Sequence, residues 1–217
     1  MTNLDIKQKT IAKEVTLSGV GLHTGKSVNM TFKPAPENYG YAFVRIDLEG
    51  KPVIEADANY VVTTERGTNL EKNGVNINTS EHVLAALVGL QIDNCIIELD
   101  ASEPPIMDGS SKYFIEILET AGLIEQEAFV EEYVVKEIIS YKDEKTGSEI
   151  MILPSEKYEL TTMVDFGTNV LGTQNAFINE ISEFKKEISD SRTFSFLHEI
   201  EMLLDHGLIK GGDLNNA

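Results

Sequence analysis

Thr79-Ser80-Glu81-His82-Val83-Leu84-Ala85-Ala86-Leu87-Val88-Gly89-Leu90-Gln91-Ile92-Asp93-Asn94-Cys95-Ile96-Ile97-Glu98-Leu99 decides the fold class, because it changes character half-way. Val83, Leu84, Leu87 and Val88, interleaved with alanines, have the spacing of a buried helix. A hydroxyl at Thr79 or Ser80 opens that helix, where it can cap free N–H groups, and Gly89 stands near its end. The run from Cys95 to Leu99 then reads as a central strand.

Working outward, the residues from about Thr10 to Ile54 alternate β-rich runs with turn signals. Strands are predicted at Lys13–Leu17, Val28–Phe32 and Tyr41–Ile46. On the other side, Ser110-Ser111 caps a second helix with Phe114, Ile115, Ile117 and Leu118 inward, ended by Gly122. The polar Glu125-Gln126-Glu127 reads as a junction, after which the pattern restarts. Strands are predicted at Tyr133–Ile139, Glu149–Leu153 and Tyr158–Asp165, then helices at Glu180–Ile188 and Leu197–His206. Each half has strands first and helices afterwards, an α+β arrangement, with domains at 1–127 and 128–217. Thr24-Gly25-Lys26-Ser27-Val28 is faintly echoed by Thr146-Gly147-Ser148-Glu149-Ile150, each at a turn entering a strand.

The chain has 217 residues, 41% hydrophobic and 25% charged, as in an ordinary globular protein with room for one large or two small domains. Its net charge of -18 repels phosphate backbones, which argues against nucleic acid as a partner. Cys95, the single cysteine, sits in an apolar run and reads as a small buried hydrophobe; with no disulfide to make, it fits a reducing compartment. No signal core opens the sequence and no apolar run reaches transmembrane length, so a cytoplasmic location is expected.

Two motifs invite functional readings and fail on spacing. Within Gly19-Val20-Gly21-Leu22-His23-Thr24-Gly25-Lys26-Ser27, five residues separate Gly19 and three separate Gly21 from the Gly25-Lys26 pair, whereas a phosphate-binding loop needs four. A strand rather than a helix is predicted after Lys26, so no helix N-terminus awaits a phosphate. Glu81-His82 suggests a zinc helix of the HExxH kind, but position 86 is alanine and one histidine does not bind zinc tightly alone. Taken alone, the pair is a solvated or capping pair, and Thr193 is a helix-capping hydroxyl.

Several segments in order alter that balance: Gly19 to Lys26, Thr79 to Leu87, Ile92-Asp93-Asn94, Pro105-Ile106-Met107-Asp108-Gly109-Ser110, Arg192-Thr193-Phe194, and Gly207-Leu208 followed by Gly211-Gly212. Together they resemble the zinc-dependent UDP-3-O-acyl-N-acetylglucosamine deacetylases, over nearly the whole chain, including forms fused to a hydroxyacyl-carrier-protein dehydratase. The resemblance implies hydrolysis of the N-acetyl group of an acylated UDP-amino sugar, early in lipid A synthesis. It also implies two similar α+β domains, each of β-sheet layered against helices, with the active site between them. Zinc would be the cofactor, lowering the pKa of bound water to roughly 7. His82 would be a metal ligand, Glu81 the general base, and Thr193 a donor to the oxyanion. Leu22, His23, Phe194, Phe196 and Gly212 would border the substrate path, and Asp108 would organise a turn.

The family completes its metal site with a histidine and an aspartate beyond the double glycine, and a later histidine protonates the leaving amine. These have no counterpart in the 217 residues, and His198 and His206 precede the double glycine. The expectation is therefore a truncated second domain, an incomplete zinc site, negligible turnover by this chain alone, and self-association through the uncovered core. The competing reading is a non-catalytic module that binds sugar nucleotide or acyl chain. A nucleotide-loop phosphotransferase is disfavoured by the spacing above.

Overall fold

The computed structural model describes residues 2–196, 200 and 210–216, with side chains from residue 6 onward. The expected helix at 197–206, with His198 and His206, lies outside the described residues. The chain opens with β1 (Thr2–Ile11), β2 (Val15–Val20), β3 (Ser27–Pro34), β4 (Tyr41–Arg45) and β5 (Val53–Glu55). Three short strands follow, β6 (Val61–Thr63), β7 (Asn69–Lys72) and β8 (Val75–Ile77), forming a small antiparallel sheet. Then come α1 (Glu81–Gly89), β9 (Cys95–Leu99), α2 (Lys112–Ala121) and β10 (Leu123–Glu132).

The principal sheet has the order β2-β3-β9-β4-β5, with β9 at its centre, antiparallel to β3 and parallel to β4. Its inner face is Val28, Met30 and Phe32 from β3, Phe43 from β4, and Cys95, Ile97 and Leu99 from β9, all buried. The alternation along β3 and β9 is the period-two signature of a sheet with one covered face. Val83, Ala86 and Leu87 of α1 and Phe114, Ile115 and Leu118 of α2 belong to the same buried core. Val88, expected inward, is exposed: it falls on the outer face of a helix whose burial runs through Val83, Ala86 and Leu87.

The helix starts differ from expectation in an informative way. Neither Ser80 nor Ser111 caps its own helix, but Ser110 Oγ accepts from Lys112 N–H at 3.2 Å, so the Ser110-Ser111 pair does supply a hydroxyl to the start of α2. The Ser80 hydroxyl donates to the Thr68 carbonyl at 2.9 Å, and the Ser111 hydroxyl donates to the His82 carbonyl at 3.1 Å. Both serines fasten a helix start to a neighbouring segment. Gly122 ends α2 as expected, at a positive φ of 68°.

Glu125-Gln126-Glu127 lies inside β10, which pairs antiparallel with β1. Gln126 takes part in a buried amide network. The Asn94 amide donates to Gln8 Oε1 at 2.9 Å and Gln126 Oε1 at 2.8 Å, and its own oxygen accepts from Gly40 N–H at 2.8 Å.

Beyond β10, the stretch from Tyr133 to Ile138 is irregular, and the next strand begins only at Ile139. Two hairpins follow: β11 (Ile139–Lys142) with β12 (Glu149–Ile152), and β13 (Leu160–Asp165) with β14 (Thr173–Ile178). A 3-10 turn (Ile181–Glu183) leads into the short helix α3 (Phe184–Glu187). Ile178 and Phe184 are buried in the core formed by the first half. The whole is a mixed α+β fold in which the later part of the chain returns to α1.

Candidate functional site

α1 begins at Glu81, so Glu81 and His82 occupy its first turn. The approach is bent: Thr79 has a φ of +53°, rarely adopted outside glycine, asparagine and aspartate. Hydrogen bonds hold it there. Its N–H donates to Asn69 Oδ1 at 3.1 Å, and its hydroxyl donates to Glu103 Oε1 at 3.1 Å. Ser80 N–H donates to the Thr68 carbonyl at 3.1 Å, and Thr68 N–H donates to Glu81 Oε2 at 2.8 Å. Thus one carboxylate oxygen of Glu81 is fixed by the loop between β6 and β7, while Oε1 stands 4.0 Å from His82 Nε2.

The His82 side chain is largely buried. Burial holds its imidazole below the ordinary histidine value, against the pull of the Glu81 and Asp108 carboxylates in the opposite direction. A neutral ring is the form that binds a metal or accepts a proton.

The segment from Asp108 to Ser111 collects the rest. Asp108 Oδ1 accepts from the Ser110 N–H at 3.1 Å and the Ser110 hydroxyl at 2.7 Å, the turn-organising role expected of it. Its backbone carbonyl accepts from Arg192 Nε at 2.6 Å, and the Gly109 carbonyl accepts from Thr193 N–H at 2.7 Å. Ser111 N–H donates to the Ser189 carbonyl at 3.1 Å. Three bonds therefore strap the segment carrying Thr193 to the same turn that reaches the His82 carbonyl through Ser111. Phe194 stacks edge-on to Phe166 at 4.9 Å and to Phe196 at 6.1 Å between ring centroids.

Leu22 and His23 lie on the turn between β2 and β3. A strand follows that turn, as expected. The His23 ring nitrogen Nε2 is 3.1 Å from the Arg66 carbonyl, and the Leu22 carbonyl accepts from Gly211 N–H at 2.9 Å, which brings Gly212 alongside. The site residues named from sequence thus fall into two neighbourhoods. One is Glu81, His82 and Thr193 around the 108–111 turn; the other is Leu22, His23 and Gly212 at the β2–β3 turn.

Sequence reasoning missed Glu103, Ser111 and Phe166. Ser111 falls in a serine pair whose pattern reads as a helix cap, Phe166 sits in a hairpin loop, and Glu103 gives no spacing signal. Among the described residues no group of three histidine, cysteine, aspartate or glutamate side chains is arranged to hold a metal ion. His82 suits zinc as one ligand, being a neutral imidazole on a rigid helix, but the described residues do not complete a ligand set.

Residues 8–217 match the model of the UDP-3-O-acyl N-acetylglycosamine deacetylase family, LpxC. The chain belongs to this family. It is 49% identical over 212 residues to the bifunctional enzyme LpxC/FabZ of Bacteroides thetaiotaomicron, covering 98% of this chain and 46% of that protein. It is 42% identical to the UDP-3-O-acyl-N-acetylglucosamine deacetylase of Myxococcus xanthus, covering 97% of this chain and 67% of that one. The deacetylase of Saccharophagus degradans is also 42% identical, with 98% and 70% covered. The chain therefore spans about half the length of the fused relatives and about two thirds of the unfused ones. No helix among the described residues is long and apolar enough to cross a membrane.

Proposed function

We propose that the protein containing this chain hydrolyses the N-acetyl group of a UDP-3-O-(3-hydroxyacyl)-N-acetylglucosamine, with zinc as cofactor, in the cytoplasm and as part of lipid A synthesis. The observation that carries this reading is that one turn holds both the His82 carbonyl, through Ser111, and the Thr193 N–H, beside a Glu81 carboxylate oriented by Thr68 N–H, in a chain of the deacetylase family. The architecture that goes with it is two similar α+β domains, 1–127 and 128–217, with the site between them.

Zinc, when bound, supplies Lewis-acid activation of water and of an amide carbonyl. His82 holds it through a ring that burial keeps neutral. The Glu81 carboxylate, oriented by Thr68 N–H, takes the proton of the attacking water. The Thr193 hydroxyl donates to the oxygen that gains charge as the carbonyl becomes tetrahedral, and its strapped backbone keeps that donor in place. Leu22, His23, Phe194, Phe196 and Gly212 border the substrate.

The second reading is a module that binds sugar nucleotide or acyl chain without cleaving it. Acetate release from the acylated UDP-amino sugar by the full-length protein separates the two. Glu81→Gln should lower kcat by about 10²–10⁴ while substrate still binds. Binding without acetate release by the wild type would establish the module and end the hydrolase reading.

A further inference from the structure

We propose that Glu103 is a positioning residue: it is the built-in anion of the Gly21–Lys26 turn, and it fixes that turn against the start of α1. Glu103 is fully buried. Its Oε2 accepts from Thr24 N–H at 2.9 Å, both its oxygens accept from His23 N–H at 3.1 and 3.2 Å, and its Oε1 accepts from the Thr79 hydroxyl at 3.1 Å. Successive backbone N–H groups converging on one point form an anion-binding nest. The glycine-rich stretch that fails as a phosphate loop is such a nest, and its anion is a side chain of the same chain.

A second turn shows that this geometry uses a carboxylate. In the Gly21–Lys26 turn, Gly25 N–H donates to the Gly21 carbonyl at 2.9 Å, Gly21 N–H to the Lys26 carbonyl at 3.0 Å, and Lys26 N–H to Thr24 Oγ1 at 3.4 Å. In the Asp143–Ser148 turn the same three bonds recur: Gly147 N–H to the Asp143 carbonyl at 2.8 Å, Asp143 N–H to the Ser148 carbonyl at 2.8 Å, and Ser148 N–H to Thr146 Oγ1 at 3.2 Å. There the carboxylate is local, since Asp143 Oδ1 accepts from Lys145 N–H at 2.9 Å. In the first turn the equivalent of Asp143 is Gly21, which has no side chain. A Cβ on Gly21 would lie 2.5 Å from Glu103 Oε2. Glu103 therefore occupies from afar the place that Asp143 fills from within.

Supplying the anion from a distance ties the turn to α1. The same carboxylate holds Leu22 and His23, through the turn, and Thr79, three residues ahead of His82. The turn in turn carries Gly211 on its Leu22 carbonyl. Glu103 thus sets the distance between the two neighbourhoods of the site. The kinetic consequence rests on the deacetylase reading; the structural one does not.

The test uses Glu103→Gln in the full-length protein, which keeps the shape but replaces one acceptor by a donor. Amide exchange across residues 19–27 should accelerate about tenfold or more, as expected for loss of a charge-assisted hydrogen bond, while β3 and β9 keep their protection. KM for the UDP-3-O-acyl amino sugar should rise about tenfold with kcat within about threefold, because the turn borders substrate and does no proton transfer. Thr79→Val, which removes only the contact to α1, should leave the turn's exchange unchanged. Unchanged exchange in Glu103→Gln, or the same loosening in Thr79→Val, would overturn the assignment; so would a loosened turn with KM unmoved. If the wild type releases no acetate, the deacetylase reading fails while exchange still decides the anchoring. Should Glu103→Gln not fold, Glu103→Asp, which keeps the charge but shortens the reach to His23 and Thr24 N–H, takes its place with the same exchange readout.

Discussion

Replacing Gly89 by alanine would stabilise most helices, by at most about 1 kcal/mol at this last helical position. Here the sign should reverse. A Cβ on Gly89 would overlap Cδ1 of Phe184 and come within 2.8 Å of Cγ and 2.9 Å of Cε1, so the ring has to move as a body. Phe184 is 8% exposed and sits in the core, so the new methyl expels it toward solvent. Losing that burial costs about 1.5–3 kcal/mol. Subtracting the helix gain leaves a net loss of about 0.5–3 kcal/mol in Gly89→Ala. The assay is the urea midpoint, with amide exchange over residues 184–193 as the local readout. Because α3 precedes the Ser189–Thr193 strap, exchange there should accelerate, and Thr193 should lose its fixed position on the Gly109 carbonyl. A more stable Gly89→Ala protein with unaltered exchange would refute both the steric reading and the idea that Phe184 anchors the site strap.

Asn94→Leu breaks three buried amide hydrogen bonds and leaves the Gly40 N–H unsatisfied, so it should cost about 2–4 kcal/mol in urea denaturation; a loss below about 1 would deny the network its role. His82 is depressed by burial, so between its folded value and about 6.5 the unfolded chain binds more protons and stability rises with pH. Metal-free protein should therefore lose stability as pH falls below about 6.5, and more steeply than His82→Gln, whose parallel behaviour would contradict the assignment. Burial pushes the Cys95 thiol up to about 12, so native protein at neutral pH should resist maleimide that labels it fully in urea; rapid native labelling would place Cys95 outside the core.

Legibility in the sequence followed the strength of the periodic signal. α1, β9 and α2 were readable because each buries one continuous apolar stripe or run, and burial is what periodicity reports. Val88 escaped because an apolar residue on the outer face of a helix looks the same in one dimension as one on the inner face. β5 to β8 are three or four residues long, too short for any period to register. β1 and β10 are long but half-exposed, and polar side chains help hold them: Gln126, read as part of a junction, is a half-buried partner of the buried Asn94. In the later half β12 and β13 were legible from their β-rich runs, while β14, with Gln174 and Asn175 near its start, carries the alternation less clearly.

The candidate site was legible only in its side chains and not in what joins them. Glu81, His82 and Thr193 are the residues to which the proposed chemistry is assigned, yet the bonds that hold the His82 and Thr193 segments together run largely through backbone groups of His82, Asp108, Gly109 and Ser111, which have no residue signature. The two matching turns make the same point from the other side. The Asp143 turn is self-sufficient, because its carboxylate is in the turn, and residues 144–148 are exposed. The Gly21 turn lacks a carboxylate of its own and so depends on a residue about eighty positions away, which also holds Thr79. A turn that carries its own anion is free to sit anywhere on the surface. One that borrows its anion is bound to the lender, and a site built from two neighbourhoods has reason to keep that bond.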